Sequence, residues 1–144
     1  MSDAIGITQW SGIDIALLVA LLPLLILSAF FSCSETAFFR INHAQLTELR
    51  QQKTPPAKAV LYLVLHRRDV LITILIGNMT ANVLYFIVGS VLMLHMSGGI
   101  VAEISVAIGT LLSIIVFGEV LPKMAATARP IGTASLLAPP LALL

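Results

Sequence analysis

Glu119 closes a stretch, 104–117, that is otherwise apolar and uncharged, and it is followed by Val120, Leu121, Pro122 and Lys123. A carboxylate at membrane depth costs about 2.5–3.5 kcal/mol on insertion scales, so such a group faces a partner, a cavity or an ion. Two earlier apolar stretches carry further oxygens: Ser28, Ser32 and Glu35 at i, i+4, i+7, and Asn78 and Asn82 at i, i+4. On helices, each set lines one side. Counted from the basic end of each stretch at 1.5 Å per residue, Ser28, Ser32, Asn78 and Glu119 all fall within about 6–17 Å of the boundary. They can share one layer. Hydroxyl, amide and carboxylate oxygens, with backbone carbonyls freed where the helix unwinds at Gly118 or above Pro122, are hard donors suited to Mg2+, Ca2+ or Na+ rather than zinc or copper. A single carboxylate among neutral oxygens suits transport better than storage, because the ion must leave again.

Simpler uses of the same residues compete. Ser28 and Ser32 could bond their own i−4 carbonyls, and Asn78 and Asn82 could be interhelical glue. Glu119 could pair with Lys123 at i, i+4. Ser32 to Glu35 fits a capping box at the start of a new helix, the role expected for Glu35. His43, His66 and His95 are isolated and near the expected interfaces. Asp14 reads as an interfacial helix residue. No nucleophile with a base, phosphate loop or nucleic-acid motif is present, so a non-enzymatic protein is expected.

The elements that must position these groups follow from composition. Of 144 residues, 58% are hydrophobic and 10% charged, and mean hydropathy is +1.02; a soluble domain carries about 25% charged residues. The fold class expected is an all-α membrane protein in one transmembrane domain, 1–144. Spans are expected at about 13–39, 70–96 and 100–123, each long enough for a hydrocarbon core of about 30 Å. Pro23 predicts a kink in the first. Ser97, Gly98 and Gly99 predict a tight antiparallel turn between the second and third, and Trp10 suits the outer interface. Between spans one and two, 42–68 reads as two short amphipathic interfacial helices broken at Thr54, Pro55 and Pro56. The apolar segment 131–144, with Pro139 and Pro140, is too short to cross and reads as a truncated C-terminal segment of something longer.

All eight Lys and Arg lie at Arg40, Arg50, Lys53, Lys58, Arg67, Arg68, Lys123 and Arg129. The positive-inside rule places that face in the cytoplasm and the N-terminus outside, as expected for a multi-pass protein of the inner (plasma) membrane. The first apolar run is expected to be a membrane span rather than a signal peptide, because no basic region precedes it and it is longer than a signal peptide's apolar core. Cys33, the single cysteine, makes no intrachain disulfide.

Three motifs, Leu-Ser-Ala-Phe-Phe-Ser-Cys-Ser-Glu-Thr-Ala (27–37), Ile-Gly-Asn-Met-Thr-Ala-Asn (76–82) and Phe-Gly-Glu-Val-Leu-Pro-Lys (117–123), resemble in order and separation the membrane domain of the CorC/CNNM (cyclin M) family of Mg2+ transporters. The resemblance implies a homodimer of three-span subunits, each holding a dehydrated Mg2+ as cargo, with export coupled to Na+. By position it implies Ser28, Ser32, Asn78, the Gly118 carbonyl and Glu119 as metal ligands, with Pro122 holding the distortion that frees the carbonyls. Cys33 stands where bacterial relatives usually have Gly, and Met79 where many have a second Asn. Cytoplasmic CBS domains are expected in the full-length protein, outside these residues. The rival expectations are a membrane scaffold or sensor serving such domains, and a proton-coupled exporter of another small cation with Glu119 as carrier.

Overall fold

The computed structural model describes residues 12–95 and 99–142, and among them every element is helical. Trp10 and the Ser97–Gly98 part of the expected turn lie outside the described residues. In chain order the helices are α1 (Gly12–Arg40), α2 (His43–Gln51), α3 (Pro55–Leu65), α4 (Arg67–His95) and α5 (Gly99–Ser113). A π-helical segment (Ile114–Val120), α6 (Leu121–Ala128) and α7 (Pro130–Leu141) follow. Three helical runs, Gly12–Arg40, Arg67–His95 and Gly99–Ala128, are long and apolar enough to cross a membrane. The chain is a multi-pass membrane protein.

Its outer surface makes the same point. Ile72, Ile76, Met79, Val83 and Ile87 of α4 are all exposed at helical spacing. Such an apolar stripe would be a large liability in water, whereas hydrocarbon solvates it.

The first helix is the hub: it packs on α4, the π segment, α6 and α7. Helix continues through Pro23. Close approach of α1 to α4 depends on Gly77, where a Cβ would overlap the ring of Phe31. A core of Phe31, Ala37, Phe38, Leu49, Val60, Ile74, Ala126 and Ala134 fills the end near α2 and α3. The other end is held by a smaller cluster of Leu21, Tyr85, Leu92 and Ile114.

Chain direction between the spans is set by local chemistry. A capping box starts α2: Asn42 Oδ1 accepts from the Gln45 amide at 2.9 Å, and Gln45 Oε1 accepts from the Asn42 amide at 3.1 Å, satisfying donors the helix leaves orphaned. The third helix opens on Pro55 and Pro56 in its first turn, where the missing N–H costs nothing. Segment 130–141 forms α7, which buries Ala134, Ala138 and Leu141 and packs on α1 and α3.

Candidate cation site

Ser28 and Ser32 are fully buried on one face of α1. Their hydroxyls point across the bundle rather than back along it. Ser28 Oγ lies 2.7 Å from Asn82 Oδ1, 3.4 Å from Asn78 Oδ1 and 3.5 Å from the Gly118 carbonyl. Ser32 Oγ lies 3.4 Å from the Glu119 carbonyl. By contrast, Ser34, Ser90, Ser105 and Thr110 donate to carbonyls four residues back on their own helices. That is the ordinary fate of a membrane hydroxyl, and Ser28 and Ser32 depart from it.

The third span supplies its oxygens through a widened turn. In the segment Ile114–Val120 the helix is π-wound, and its exit is marked by the Leu121 amide donating to the Val116 carbonyl five residues back. Pro122 follows and has no N–H, so the carbonyl four residues before it, Gly118, loses its α-helical donor. Widening and missing donor together turn backbone oxygen toward α1. The sequence suggested unwinding here; the helix instead continues with one wide turn. Gly118 is buried, and a Cβ there would sit 2.9 Å from Ser28 Oγ. Only a glycine lets the two helices meet this closely.

Glu119 faces the bundle, not lipid. Its Oε1 accepts a 3.1 Å hydrogen bond from Asn82 Nδ2. Asn82 thus bridges, accepting from Ser28 through Oδ1 and donating to Glu119 through Nδ2. A flipped amide would set its oxygen against the carboxylate, so both partners fix one orientation.

The donor count decides what this arrangement can do. Ser28 carries one hydroxyl proton, while three acceptor oxygens, Asn78 Oδ1, Asn82 Oδ1 and the Gly118 carbonyl, surround its Oγ. One proton serves one acceptor, and the shortest contact takes it. The Asn78 amide and the Gly118 carbonyl face the same hydroxyl oxygen, so polar groups from three helical segments converge at one point, an arrangement that suits a cation. An octahedral Mg2+ at about 2.1 Å from oxygen sets neighbouring donors about 3.0 Å apart. The spacings from Ser28 Oγ to the Asn78 and Gly118 oxygens, 3.4 and 3.5 Å, are a few tenths of an ångström wider than that value. Among the described residues no group of three His, Cys, Asp or Glu could hold a metal, so the donors on offer are neutral oxygens with one carboxylate.

All five residues singled out in sequence, Ser28, Ser32, Asn78, Gly118 and Glu119, are therefore brought to one layer between α1, α4 and the π segment. Asn82, left open between glue and ligand, belongs to the same layer; its i, i+4 spacing from Asn78 was the available signal. One local expectation is corrected. Helix α1 runs unbroken through Ser32–Glu35, so no capping box forms there: the Ser34 hydroxyl bonds the Phe30 carbonyl and the Thr36 hydroxyl that of Ser32. Nor does Lys123 pair with Glu119; its Nζ lies 3.7 Å from Glu35 Oε2.

Comparison with known proteins agrees with this architecture. The chain is 37% identical over 106 residues to the UPF0053 inner membrane protein YfjD of Escherichia coli (strain K12), a match covering 72% of this chain and 24% of that protein. It spans about a quarter of that relative's length. A family model, the cyclin M transmembrane N-terminal domain, matches residues 18–144, a stretch that includes every residue of the polar layer. The chain belongs to the cyclin M (CNNM) transmembrane domain family.

Proposed function

We propose that this domain carries Mg2+ across the membrane through the oxygen layer between α1, α4 and the π segment. The observation that supports this best is the convergence on Ser28 Oγ of the Asn78 and Asn82 amides of α4 and the Gly118 carbonyl of the π segment, all within 3.5 Å. In this reading Ser28, Ser32, Asn78 and the Gly118 carbonyl replace water in the ion's shell, and Glu119 supplies negative charge. Asn82 aims the Glu119 carboxylate. Mg2+ gives up water reluctantly, so the cage must be preformed. Packing of three helices around buried serines provides that preformation, and rocking of the spans changes which side the cage faces.

The face bearing Arg40, Arg50, Lys53, Lys58, Arg67, Arg68, Lys123 and Arg129 is cytoplasmic in this reading, with the N-terminus outside the inner membrane. Mg2+ is cargo and no bonds are made or broken. Export driven by Na+, a homodimeric assembly and cytoplasmic CBS domains elsewhere in the full-length protein complete it.

Calorimetric titration of the purified protein with Mg2+ tests the reading. Wild type binds, Asn78→Ala weakens binding by about tenfold, and Glu119→Gln weakens it by about a hundredfold, the scale of losing a charged ligand from a partly desolvated site. Absence of Mg2+ binding in wild type, with binding of no other small cation, would leave a scaffold. Flux that follows pH without Mg2+ affinity would identify a proton carrier.

A further inference from the structure

One turn from the cage, toward the basic face, α1 and α6 are joined by the ion pair between Glu35 and Lys123. Glu35 continues the face of Ser28 and Ser32 at i+7 and i+3, and Lys123 follows Glu119 at i+4, so the pair borders the cage on its basic side on both helices at once. At 3.7 Å the pair is loose, and its side chains are 23% and 43% exposed for Glu35 and Lys123. An ion pair this long and this exposed contributes little stability. The placement and the looseness have different implications. A staple between helices gains from a tight, buried contact, whereas a carboxylate that must release one cation and take up another gains from an open, weak one.

We propose that Glu35 is a second cation position, a waiting site for a hydrated divalent ion at the mouth of the cage, and that Lys123 is a tethered counter-cation which the arriving ion displaces. This rests on the cage reading of the preceding section. A divalent ion meets the carboxylate with twice the charge of the ammonium. The lysine head sits on a flexible four-carbon stem and can swing into solvent without disturbing α6. Outer-sphere water on the ion bridges to Glu35 and Thr36 while the inner shell is exchanged, residue by residue, for Ser32 and the Glu119 carboxylate. Between ions, Lys123 returns and prevents the unpaired carboxylate from holding the departing ion back.

The two residues should therefore act with opposite signs. In the full-length protein reconstituted into liposomes, Glu35→Gln lowers the initial Mg2+ flux at limiting Mg2+ by about fivefold, and Lys123→Gln raises it by a similar factor, the upper range for an exposed pair. Equilibrium affinity of the cage, measured by calorimetry, changes less than the flux does in both. Lys123→Arg, which keeps the charge, behaves as wild type. If wild type binds Mg2+ without measurable flux, the stopped-flow association rate of Mg2+ gives the same comparison. A simple staple is broken equally by either substitution, so equal shifts of the same sign, or no shift in either, overturn the waiting site while leaving the cage intact. Failure of wild type to bind Mg2+ removes the cage itself, a separate result. Thermal melts of each variant separate loss of fold from loss of function.

Discussion

Around Ser28 the helices are joined by oxygen atoms from three spans, whereas two turns further along, around Tyr85, they meet through hydrocarbon. The second region is built from Leu21, Tyr85, Leu92 and Ile114. Beside it lies a cavity of about 370 Å³ lined by residues such as Leu18, Leu25, Val106 and Gly109. No residue of α5 is buried, and its Ser105 and Thr110 hydroxyls are satisfied within their own helix. At the oxygen-rich end, by contrast, the third span is pressed against α1 so closely that a Cβ at Gly118 would contact Ser28 Oγ. The contrast teaches that specificity and general packing are assigned to different depths. In a bilayer lipid competes for apolar contact, so the apolar region can remain loose, while buried oxygens have no such substitute and must be placed.

Adding one methyl group at each depth gives the largest expected difference between the two regions. Gly118→Ala puts a Cβ 2.9 Å from both Ser28 Oγ and Ile114 Cδ1, so the Ser28 hydroxyl and the Ile114 terminal methyl must both move. The expected cost is about 1–3 kcal/mol of stability, with Mg2+ affinity down by about a hundredfold, read by thermal melts and calorimetry. At Gly109 nothing lies within 4 Å of the added Cβ, so Gly109→Ala leaves both quantities near wild type and gains slightly in helix propensity. Similar losses from both substitutions would show that the third span is sensitive along its whole length, and the contrast of depths would fail.

A smaller effect is expected at Asn82. Asn82→Ala removes the donor to Glu119 Oε1 and the acceptor for Ser28 Oγ without removing any of the five groups named as ligands. Its loss frees the carboxylate to turn, and Mg2+ affinity falls by about tenfold, the usual effect of losing an orienting partner behind a ligand. An unchanged affinity would reduce Asn82 to glue. Leu92→Ala sharpens the other side: Leu92 is 2% exposed, and truncation there costs about 2 kcal/mol in packing, while Mg2+ affinity stays at the wild-type value. A fall in affinity would mean that the apolar cluster holds the cage in shape.

Much of this was legible in the sequence, and the parts that were not share a cause. Hydropathy located the three spans, and i, i+4 spacing put Ser28 with Ser32 and Asn78 with Asn82. The wide turn at Gly118 has no repeat of its own to read; Pro122 hinted at a disturbance but not at its form. Whether Asn82 or Asn78 comes nearest to Ser28 depends on the rotation of α4 against α1, which is set by Phe31 filling the space beside Gly77. The partner of Lys123 was ambiguous for the same reason. Within its own helix Glu119 stood at the favoured spacing, and Glu35 became available only once α6 was packed on α1. Periodicity fixes the face of a helix; the choice among oxygens on facing helices is made by packing.

The smallest expected effect is also the most discriminating, because it holds burial constant. Ser32 and Ser34 are both fully buried on α1, two residues apart. Ser34 Oγ donates to the Phe30 carbonyl at 2.8 Å, a bond internal to the helix, whereas Ser32 Oγ faces the Glu119 carbonyl across the bundle. Ser34→Ala deletes a back-bond that contributes little to a helix, replaces it with the best helix former and leaves no unpaired side-chain group behind. Stability should change by less than about 0.5 kcal/mol, with Mg2+ affinity at the wild-type value, while Ser32→Ala, losing the same single oxygen atom, weakens binding by about tenfold. If the two alanine variants bind Mg2+ alike, the direction of a buried hydroxyl is irrelevant here, and the distinction between oxygens that serve their own helix and oxygens that serve the ion collapses.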